Sequence, residues 1–524
     1  MSVASRISNP IEGEIFRHLS SAAAEEMGVA LERSSYSPNI KERRDYSCAI
    51  FDPWGKLVAQ AADIPVHLGA FPHLMDLVVP GRAWEPGDVL ICNDPRFGGT
   101  HLPDISVVSP VFAASGELIG FVANRAHHAD VGGAFPGSMA PTTELYQEGV
   151  IIPPVLLEAG GRRNEALLAL LLRNVRTPDE RRGDLSAQLA ANRVGAARLR
   201  ELGTRYGPDG LIQAMVDART QSAGAVRRLI ETLPVGRYEG EDFLDDDGHG
   251  SGPLAIRVAV TFGEGRMSVD FTGTAPQARG SINATLAVTL SASYYVLLCL
   301  LPEQVALNQG VFDCLSVSAP EGSLVHASPP AAVAAGNVET SQRTVDALLR
   351  ALASALPEKV PAASQGTMNN LTLGGLQNGT AWAYYETTGG GSGATSRHPG
   401  ATAIHCHMSN TRNTPAEALE YHYPLRLRRY ALREASGGAG LCQGGDGVVR
   451  ELELLDRAQV TWLTDRRERG PYGLFGGESG APGENSLMLP GEEWSVAPSK
   501  GSLPLPMGAR VRIGTPGGGG WGHV

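Results

Sequence analysis

No two cysteines in this sequence have the C-x-x-C spacing of a structural zinc site or a dithiol redox centre, and only six cysteines occur among 524 residues. Most of them lie in apolar or strand-like surroundings, which favours buried free thiols in a reducing compartment over disulfides. The six are Cys48, Cys92, Cys299, Cys314, Cys406 and Cys442. We therefore expect a fold that is held together without a disulfide framework.

The chain also lacks an excess of positive charge and a long hydrophobic run. Its formal net charge is −11, and an acidic surface argues against binding to nucleic acid or to an anionic membrane. The most apolar stretch, 286–301, is shorter than a bilayer span and contains serines and tyrosines, so it predicts a buried core helix. Residues 1–7 have no hydrophobic segment of the secretory type. These features predict a cytoplasmic location.

Several motifs of known chemistry are absent. There is no G-x-x-x-x-G-K-[ST] phosphate-binding loop, no G-x-S-x-G nucleophile turn and no H-E-x-x-H zinc motif. The glycine run 389–393 lacks the lysine of a phosphate-binding loop, and the run 517–520 has no helix after it that could bind phosphate. If the protein uses ATP, we expect a second chain to bind the nucleotide.

Glycine and proline are abundant, with 64 and 35 residues, which indicates many tight turns and loops. Helical and strand patterns are interleaved without strict βαβ order. We therefore predict a multi-domain α+β fold with mixed antiparallel sheets and interleaved helices. The predicted divisions are an α+β region at 1–160 with a metal-site hairpin, a helical segment at 161–235, a β region with core helices at 236–360, and a glycine-rich, β-dominated region at 361–524.

Local patterns predict individual elements within these regions. Asn9 is a good N-cap, Pro10 suits the first helical position and Glu12 completes a capping box, so a helix begins here. The remaining predictions are a hairpin of strands 46–51 and 56–60, helices within 164–233, antiparallel strands within 236–274, and an amphipathic helix at 338–356.

Four short polar motifs lie between residues 93 and 130. They are Asn93-Asp94-Pro95, Gly98-Gly99-Thr100-His101, Pro103-Asp104 and Ala126-His127-His128-Ala129-Asp130. Ser115-Gly116 lies between two β-rich runs and predicts a hairpin of strands 105–112 and 118–124. If Phe112 is opposite Leu118, Asp104 is opposite Ala126 and therefore next to His127. Two imidazoles and one or two carboxylates then meet at one end of a small sheet.

This set of donors predicts a divalent metal site. Imidazole and carboxylate together suit Mn, Fe or Zn, and we predict His101, Asp104, His127 and Asp94 as the ligands. Successive side chains of a strand point to opposite faces, so His128 cannot join His127 on one metal and is a candidate for contact with substrate or with the residues that surround the metal ligands. For each residue alone, surface histidines and an aspartate in a glycine turn remain the plainer interpretation.

A second polar cluster lies at 405–415. His405-Cys406-His407 alternates like a strand and leads into a loop that is rich in hydrogen-bonding groups. Loops of this kind often hold ligands, so His407, Asn410 and Arg412 are candidate substrate-binding residues. The alternative is a strand whose histidine face is simply exposed to solvent.

Longer motifs resemble the hydantoinase B/oxoprolinase family over nearly the whole chain. They are, in order, 37–48 (SPNIKERRDYSC), 64–69 (IPVHLG), 93–104, 127–133 (HHADVGG), 136–138 (PGS), 410–420 (NTRNTPAEALE), 436–440 (SGGAG), 474–477 (LFGG) and 515–520 (TPGGGG). The resemblance implies a subunit of an ATP-dependent cyclic amidohydrolase. Such enzymes open hydantoin, N-methylhydantoin or 5-oxoproline rings together with an ATP-binding A subunit of actin-like fold.

The same family includes the α subunit of acetone carboxylase, whose metal site uses a His-x-x-Asp pair and a later histidine. By motif, that pattern falls on His101, Asp104 and His127, and His67 is a candidate for contact with substrate. The implied partners are a hydantoinase A-type ATPase subunit, which binds ATP in a hetero-oligomer, and a small cyclic amide. We expect a metal-activated water as nucleophile, with His128 or Asp130 as the group that moves the proton.

Two other functions stay open. A ketone carboxylase subunit of the acetone carboxylase type would use the metal to polarise an enolate and CO2, although the α subunits of those enzymes are typically longer. A non-catalytic, metal-binding scaffold would only stabilise the A subunit.

Overall fold

The computed structural model describes residues 10–61, 64–302 and 305–523. The helices are α1 (Pro10–Ser34), α2 (Pro38–Lys41), α3 (Ala70–Val78), α4 (Glu165–Arg173), α5 (Pro178–Tyr206), α6 (Pro208–Glu231), α7 (Leu286–Leu300), α8 (Gln309–Phe312), α9 (Ser341–Leu352) and α10 (Ala416–His422). The first helix begins at Pro10 as predicted, whereas its predicted N-cap, Asn9, lies outside the described residues.

The strands are β1 (Tyr46–Phe51), β2 (Leu57–Gln60), β3 (Val89–Cys92), β4 (Asp104–Phe112), β5 (Leu118–His127), β6 (Val155–Ala159), β7 (Arg162–Arg163), β8 (Gly236–Leu244), β9 (Leu254–Gly263), β10 (Arg266–Asp270), β11 (Leu315–Ser318), β12 (Asn370–Gln377), β13 (Thr380–Glu386), β14 (Leu425–Arg433), β15 (Gly447–Leu454), β16 (Ala458–Leu463), β17 (Glu484–Met488), β18 (Ser495–Val496), β19 (Lys500–Leu505) and β20 (Arg510–Gly514).

These strands form four sheets. The largest has seven strands in the order β2-β1-β5-β4-β3-β6-β7, and the others have the orders β11-β10-β9-β8, β13-β12-β16-β19 and β14-β15-β20-β17-β18. Within the described residues the strands pair antiparallel, apart from the parallel pair β10 and β11. A content of 30% helix and 26% strand in several antiparallel sheets confirms the α+β class. The four domain boundaries stay a prediction.

The predicted metal-site hairpin is present as β4 and β5, but its register is one residue away from the prediction. A β-bulge after Val111 leaves one extra residue in β5. Beyond the bulge every pair is shifted, so Asp104 pairs directly with His127 and not with Ala126. Residues that are directly opposite share a face of the sheet, and the bulge therefore brings this carboxylate and this imidazole together.

Helix α5 packs across β4 and β5 and is fastened to them by buried amide side chains. Gln188 donates from Nε2 to the carbonyl of Ile105 at 2.9 Å, and its own backbone carbonyl accepts from Asn124 Nδ2 at 2.8 Å. One turn later, Asn192 donates to the carbonyl of Val107 at 3.2 Å. Because buried amides need their partners, these bonds fix the position of the helix against the hairpin.

Most other local predictions are confirmed. The first hairpin is β1 and β2, the helical segment contains α4, α5 and α6, the following β region contains β8 to β10, and the apolar stretch is the core helix α7. Helix α9 begins at Ser341, later than predicted, because a π-helical turn, Gly336–Thr340, precedes it. The strand predicted at 405–407 is wrong: the backbone is irregular there, and His407 has a φ of 54°, which a strand excludes.

Glycine segments of the C-terminal region pack backbone against backbone. A Cβ at Gly518 would lie 1.8 Å from the carbonyl oxygen of Ser392, and one at Gly391 would lie 1.9 Å from that of Gly445. The segments are joined by backbone hydrogen bonds, such as Gly518 N to Gly445 O at 2.8 Å. Only glycine permits so close an approach, so these glycines serve close packing as well as turns.

The largest hydrophobic core lies between the seven-stranded sheet and the sheet of β8 to β11, and α7 and α9 are buried in it. Among the described helices, none combines the length and apolar character needed to cross a membrane. All six cysteines lie in the described residues and are free thiols, with Cys299 exposed and Cys442 half-buried.

Candidate metal centre

Three of the four predicted metal ligands meet at the end of the β4–β5 hairpin. Asp104 is the first residue of β4 and His127 is the last residue of β5. His101 precedes Asp104 by three residues in a tight turn, in which the Asp104 N–H donates to the His101 carbonyl at 3.2 Å. This turn folds the His-x-x-Asp spacing so that both side chains reach the same point. We call His101, Asp104 and His127 the metal triad.

The donor atoms of the metal triad form a nearly regular triangle. His101 Nε2 lies 3.1 Å from Asp104 Oδ1 and 3.2 Å from His127 Nδ1, and His127 Nδ1 lies 3.2 Å from Asp104 Oδ1. For metal–ligand bonds of about 2.1 Å, neighbouring ligands are about 3.0 Å apart in an octahedral site and about 3.4 Å apart in a tetrahedral one. The observed separations lie between these two values, so one divalent ion could contact all three donor atoms, as in two-histidine, one-carboxylate metal sites.

The orientation of His101 is fixed from the opposite side of its ring. His101 Nδ1 donates to the carbonyl of Ala334 at 3.3 Å, which leaves Nε2 as the ligand atom. Asn337 Nδ2 lies 3.2 Å from the same Nε2. Both partners belong to the segment that enters the π-helical turn, and such turns are frequent at functional sites.

Glu148 holds that segment in place. One of its carboxylate oxygens accepts from the backbone N–H groups of Val333 and Ala334, both at 2.9 Å, and from Thr142 Oγ1 at 2.9 Å. The carboxylate is buried and forms no ion pair among the described residues. Burial raises the pKa of Glu148 to about 7, against the lowering effect of these hydrogen bonds. Glu148 thus acts on His101 through the backbone of Ala334.

Asp104 uses its two oxygens differently. Oδ1 faces the two imidazoles, whereas Oδ2 accepts from Thr100 Oγ1 at 2.5 Å and lies 3.1 Å from His67 Nε2. His67 is in turn fixed by Ser47 Oγ, 2.9 Å from its Nδ1. The Ser47–His67 pair therefore sets the direction of the carboxylate, in the way that outer residues orient metal ligands.

The charges of the metal triad are strongly coupled. Burial by itself would raise the pKa of Asp104, but the charges of His101 and His67 outweigh it and hold that pKa well below its usual range. Burial would lower the pKa of His101, yet the charge of Asp104 raises it. Burial dominates at His127 and lowers its pKa, which favours the neutral ring that a metal requires.

Asp104 and His127 of the metal triad line a cavity of about 20 Å³. Tyr385 stacks on the His127 ring with centroids 4.6 Å apart, and Asp45 also lines the cavity. A space of roughly 10–15 Å³ accommodates one water molecule, so the cavity has room for little more. His127 Nε2 and Asn337 Oδ1 are buried here without a hydrogen-bond partner in the described structure, as expected of groups that serve a ligand. The donor set, to which His127 contributes Nδ1, fits a divalent metal.

The fourth predicted ligand, Asp94, is not part of this group. Among the described residues the metal triad contains His101, Asp104 and His127 alone. Asp94 instead caps the short helical turn Pro95–Phe97 by accepting from the Arg96 N–H at 2.9 Å. An aspartate before a proline commonly caps a turn in this way, and this local role takes Asp94 away from the metal triad.

The two residues predicted to move the proton lie away from the metal triad. His128 faces α5, where its Nε2 is 3.0 Å from Gln188 Oε1, and burial together with nearby Arg181 lowers its pKa to about 4. Asp130 accepts from two glycine N–H groups and from the backbone and side chain of Arg176, at 2.9–3.1 Å. Both side chains have structural contacts, and their role in proton transfer stays a prediction.

The candidates for substrate binding are also dispersed. His67 lines the metal cavity and contacts Asp104. His407 is buried, with Nε2 3.5 Å from Asp346 and Nδ1 3.4 Å from the Tyr295 hydroxyl. Asn410 and Arg412 are exposed, and the Arg412 N–H donates to the carbonyl of Arg43 at 3.0 Å. Their contact with substrate stays a prediction.

Sequence reasoning missed several residues around the metal triad. Ser47 and Thr100 lie inside motifs of the resemblance and could have been found there, whereas Asn337, Tyr385 and Glu148 are in segments without a sequence signal. They reach the site only through long-range packing.

The sequence and fold of this chain place it in a known protein class. The chain matches the family model described as Hydantoinase B/oxoprolinase over residues 9–524 and belongs to this family. The 5-oxoprolinase 1 of Arabidopsis thaliana is 40% identical over 550 residues, which cover 99% of this chain but only 42% of that longer protein. A protein of Pseudomonas sp., named as the candidate B component of a D-/L-hydantoinase, is 32% identical over 523 residues, covering 95% of this chain and 88% of the relative.

Two solved structures share the fold. An ATP-dependent caprolactamase from Pseudomonas jessenii matches with a TM-score of 0.90 and 31% identity, covering 98% of this chain and 91% of that one. The nucleotide-free structure of acetone carboxylase matches with a TM-score of 0.89, covering 99% and 76% of the two chains. Its 18% identity shows a common fold alone.

Proposed function

We propose that this chain is the B-type, ring-opening component of an ATP-dependent cyclic amide hydrolase, acting on a hydantoin, an N-methylhydantoin or a 5-oxoproline-type ring. Family membership and relatives named 5-oxoprolinase, hydantoinase and caprolactamase support this activity. The observation that carries the proposal is the buried metal triad at the end of a strand hairpin.

The proposed cofactor is a divalent cation, Mn, Zn or Fe, held by His101, Asp104 and His127. Two imidazoles and one carboxylate suit these metals, and all three of these donors come from this chain. When bound, such an ion supplies Lewis acidity, which polarises a carbonyl and lowers the pKa of water.

The residues around the metal triad orient its ligands and exclude bulk water. His67 and Thr100 hold the second oxygen of Asp104, so that the first stays directed at the imidazoles. The ring of Tyr385 covers His127, and the narrow cavity admits little solvent. Exclusion of water protects a reactive form of the substrate until the ring is opened.

ATP is needed because a ring amide is a poor electrophile, and phosphorylation of its oxygen would make it reactive. We propose that the nucleotide is bound within a hetero-oligomer, on an ATPase subunit of the A type. This chain has no P-loop motif, and it spans less than half of the plant 5-oxoprolinase, whose remaining length leaves room for a second component.

The test is to co-express the chain with an A-type ATPase subunit and to assay the purified complex. We expect bound divalent metal and ATP hydrolysis coupled to the opening of at least one of hydantoin, N-methylhydantoin, 5-oxoproline and caprolactam. His101→Ala and Asp104→Asn should each lower ring opening by more than about 100-fold, beyond the usual cost of losing an outer residue. His398→Ala, at an exposed histidine, is the matched control.

Two results would contradict the proposal. ATP turnover that requires bicarbonate and a ketone, with no turnover of cyclic amides, would identify a carboxylase. Ring opening that persists in His101→Ala and Asp104→Asn after metal is lost would identify a scaffold.

A further inference from the structure

A second, larger cleft lies between the edge of β13 and the start of α5. It has a volume of about 240 Å³. Its lining residues include two alanines of β13, three aromatic side chains and groups at the start of α5. They are Ala381, Ala383, Tyr36, Trp382, Tyr423, Thr177 and Glu180. The cleft is about ten times the size of the metal cavity and could take a small planar ring.

The backbone of β13 presents hydrogen-bonding groups to this cleft. β13 is the edge strand of its sheet, and its carbonyls alternate in direction. The carbonyl of Tyr385 accepts from Arg43 Nη1 at 2.9 Å, and that of Thr387 accepts from Asn413 Nδ2 at 2.7 Å, so the odd-numbered groups point away from β12. The N–H and C=O of Ala381 and Ala383 therefore point outward as well.

These outward groups have no partner in the part of the chain that the structure describes. Ala383 is nevertheless 3% exposed. Buried backbone groups are rarely left unpaired, because each loses its hydrogen bond to water. An N–H and a C=O side by side at a buried strand edge therefore form a site for a ligand that offers the complementary pair.

Arg43 separates this cleft from the metal cavity. Its guanidinium donates to Tyr385 O and, at 3.1 Å, to Thr387 Oγ1, and it lies 4.9 Å from the centre of the Tyr385 ring. Tyr385 and Thr387 line the metal cavity, and Ala383, two residues earlier, lines the cleft. Alternate residues of a strand are about 7 Å apart, so the two spaces are neighbours along β13.

We propose that the cleft is an outer binding site for the cyclic amide, whose N–H and C=O pair with the edge of β13 at Ala383. This inference rests on the proposed function. In a ring the amide is cis, so its N–H and C=O lie side by side, which matches a strand edge. An added peptide strand fits less well, because β13 begins at Thr380 and Arg43 already occupies the edge at Tyr385.

The test measures binding of hydantoin to the full-length chain alone, without ATP, metal or partner, by calorimetry and ligand-observed NMR. 1,3-Dimethylhydantoin keeps the ring and lacks both N–H groups. Ala383→Pro removes the backbone N–H at a position where an edge strand tolerates proline, and Ala383→Ser keeps it. We expect hydantoin to bind, with about tenfold weaker binding for the dimethyl compound and for Ala383→Pro, since each loses a hydrogen bond. Ala383→Ser should bind like the parent chain.

Absence of hydantoin binding, or equal affinity for both compounds, would overturn the proposal. So would unchanged hydantoin binding in Ala383→Pro together with weaker association with the A-type partner, which would make the edge a polypeptide docking site. A thermal unfolding curve for Ala383→Pro verifies its fold, and the pair of compounds tests the same contact without any mutation. The binding measurement needs no turnover, so its result is independent of the proposed function. Hydantoin can bind the cleft even if the complex opens no ring, and the complex can be active even if hydantoin does not bind the cleft.

Discussion

Two clusters of buried charged side chains in this molecule can be compared. In the metal triad the carboxylate faces histidines, whereas in a second cluster the carboxylates face arginines and a lysine. The second cluster, which we call the ionic cluster, consists of Arg343, Arg466, Lys500, Asp242, Asp346 and Asp465. In it, Lys500 lies 2.8 Å from Asp465, and Arg466 lies 2.6 Å from Asp242 and 2.8 Å from Asp346. In the metal triad, the carboxylate of Asp104 faces imidazoles instead.

This difference separates a structural cluster from a candidate metal site. Arginine and lysine are permanent cations, so the ionic cluster is neutralised by the chain itself and joins α9, β8 and β19. Imidazoles can lose their protons and then become ligands, so the metal triad can exchange protons for a cation. His407, predicted from sequence as a substrate ligand, lies next to the ionic cluster with Nε2 3.5 Å from Asp346, and its contact with substrate stays a prediction.

The largest effect should come from breaking the ionic cluster. Arg466→Met leaves Asp242 and Asp346 buried without their main cation, which should lower the free energy of unfolding by about 3–5 kcal/mol. Denaturant unfolding measures this loss, and calorimetry should find metal affinity unchanged. The control Arg397→Met removes an ion pair in which both side chains are mostly exposed, and it should cost less than about 1 kcal/mol. Loss of metal binding in Arg466→Met would contradict the view that the ionic cluster is independent of the metal triad.

The next effect concerns the metal triad. Asp104→Asn removes its anionic ligand at nearly constant shape and should weaken Zn²⁺ or Mn²⁺ binding by more than about 100-fold, as measured by calorimetry. Stability without metal should change less than in Arg466→Met, because imidazoles that are no longer paired can become neutral. Asp94→Asn is the matched control and should leave affinity unchanged, since asparagine also caps turns. Equal losses in both variants would return Asp94 to the ligand set.

The sequence predicts those contacts of the site that are made between residues close together in the chain. The His-x-x-Asp turn and the hairpin that returns His127 depend on short-range patterns, and they are present. The β-bulge after Val111 has no such pattern, so the predicted pairing is off by one residue. The contacts of His101 with Ala334 and Asn337 span 233 and 236 residues and depend on how α9 packs. Short-range patterns cannot specify packing of this kind.

A smaller effect concerns how the stability of the fold depends on pH, through the Glu148 carboxylate, which forms no ion pair in the described structure. The pKa of Glu148 is raised from 4.5 to about 7, so the folded chain binds its proton more tightly than the unfolded chain does. The resulting stability is present below about pH 4.5 and is lost as pH rises through about 7, by about 2 kcal/mol between about pH 5 and pH 8. Glu339, whose pKa is also about 7, titrates in parallel. The parent chain is therefore compared with Glu148→Gln. Between about pH 5 and pH 8, the denaturation midpoint of the variant should fall less than that of the parent chain. If the midpoints of the two proteins changed in parallel with pH, Glu148 would be ionised in the folded chain throughout this range.

The smallest expected effect is on metal binding when His67 is replaced. It tests whether His67 orients Asp104 or contacts the substrate. If His67 orients Asp104, His67→Leu should weaken metal binding by about tenfold and alter the visible spectrum of the Co²⁺-loaded chain, because the carboxylate loses a hydrogen bond and can turn. His67→Gln can still donate to Asp104 and should recover much of the affinity, while Ser47→Ala should have a weaker effect of the same kind. A substrate ligand would behave differently: His67→Leu would then keep the metal affinity and the Co²⁺ spectrum, and only the KM for the cyclic amide would rise. The spectrum decides between the two, because it reports the geometry around the metal triad in the absence of any turnover.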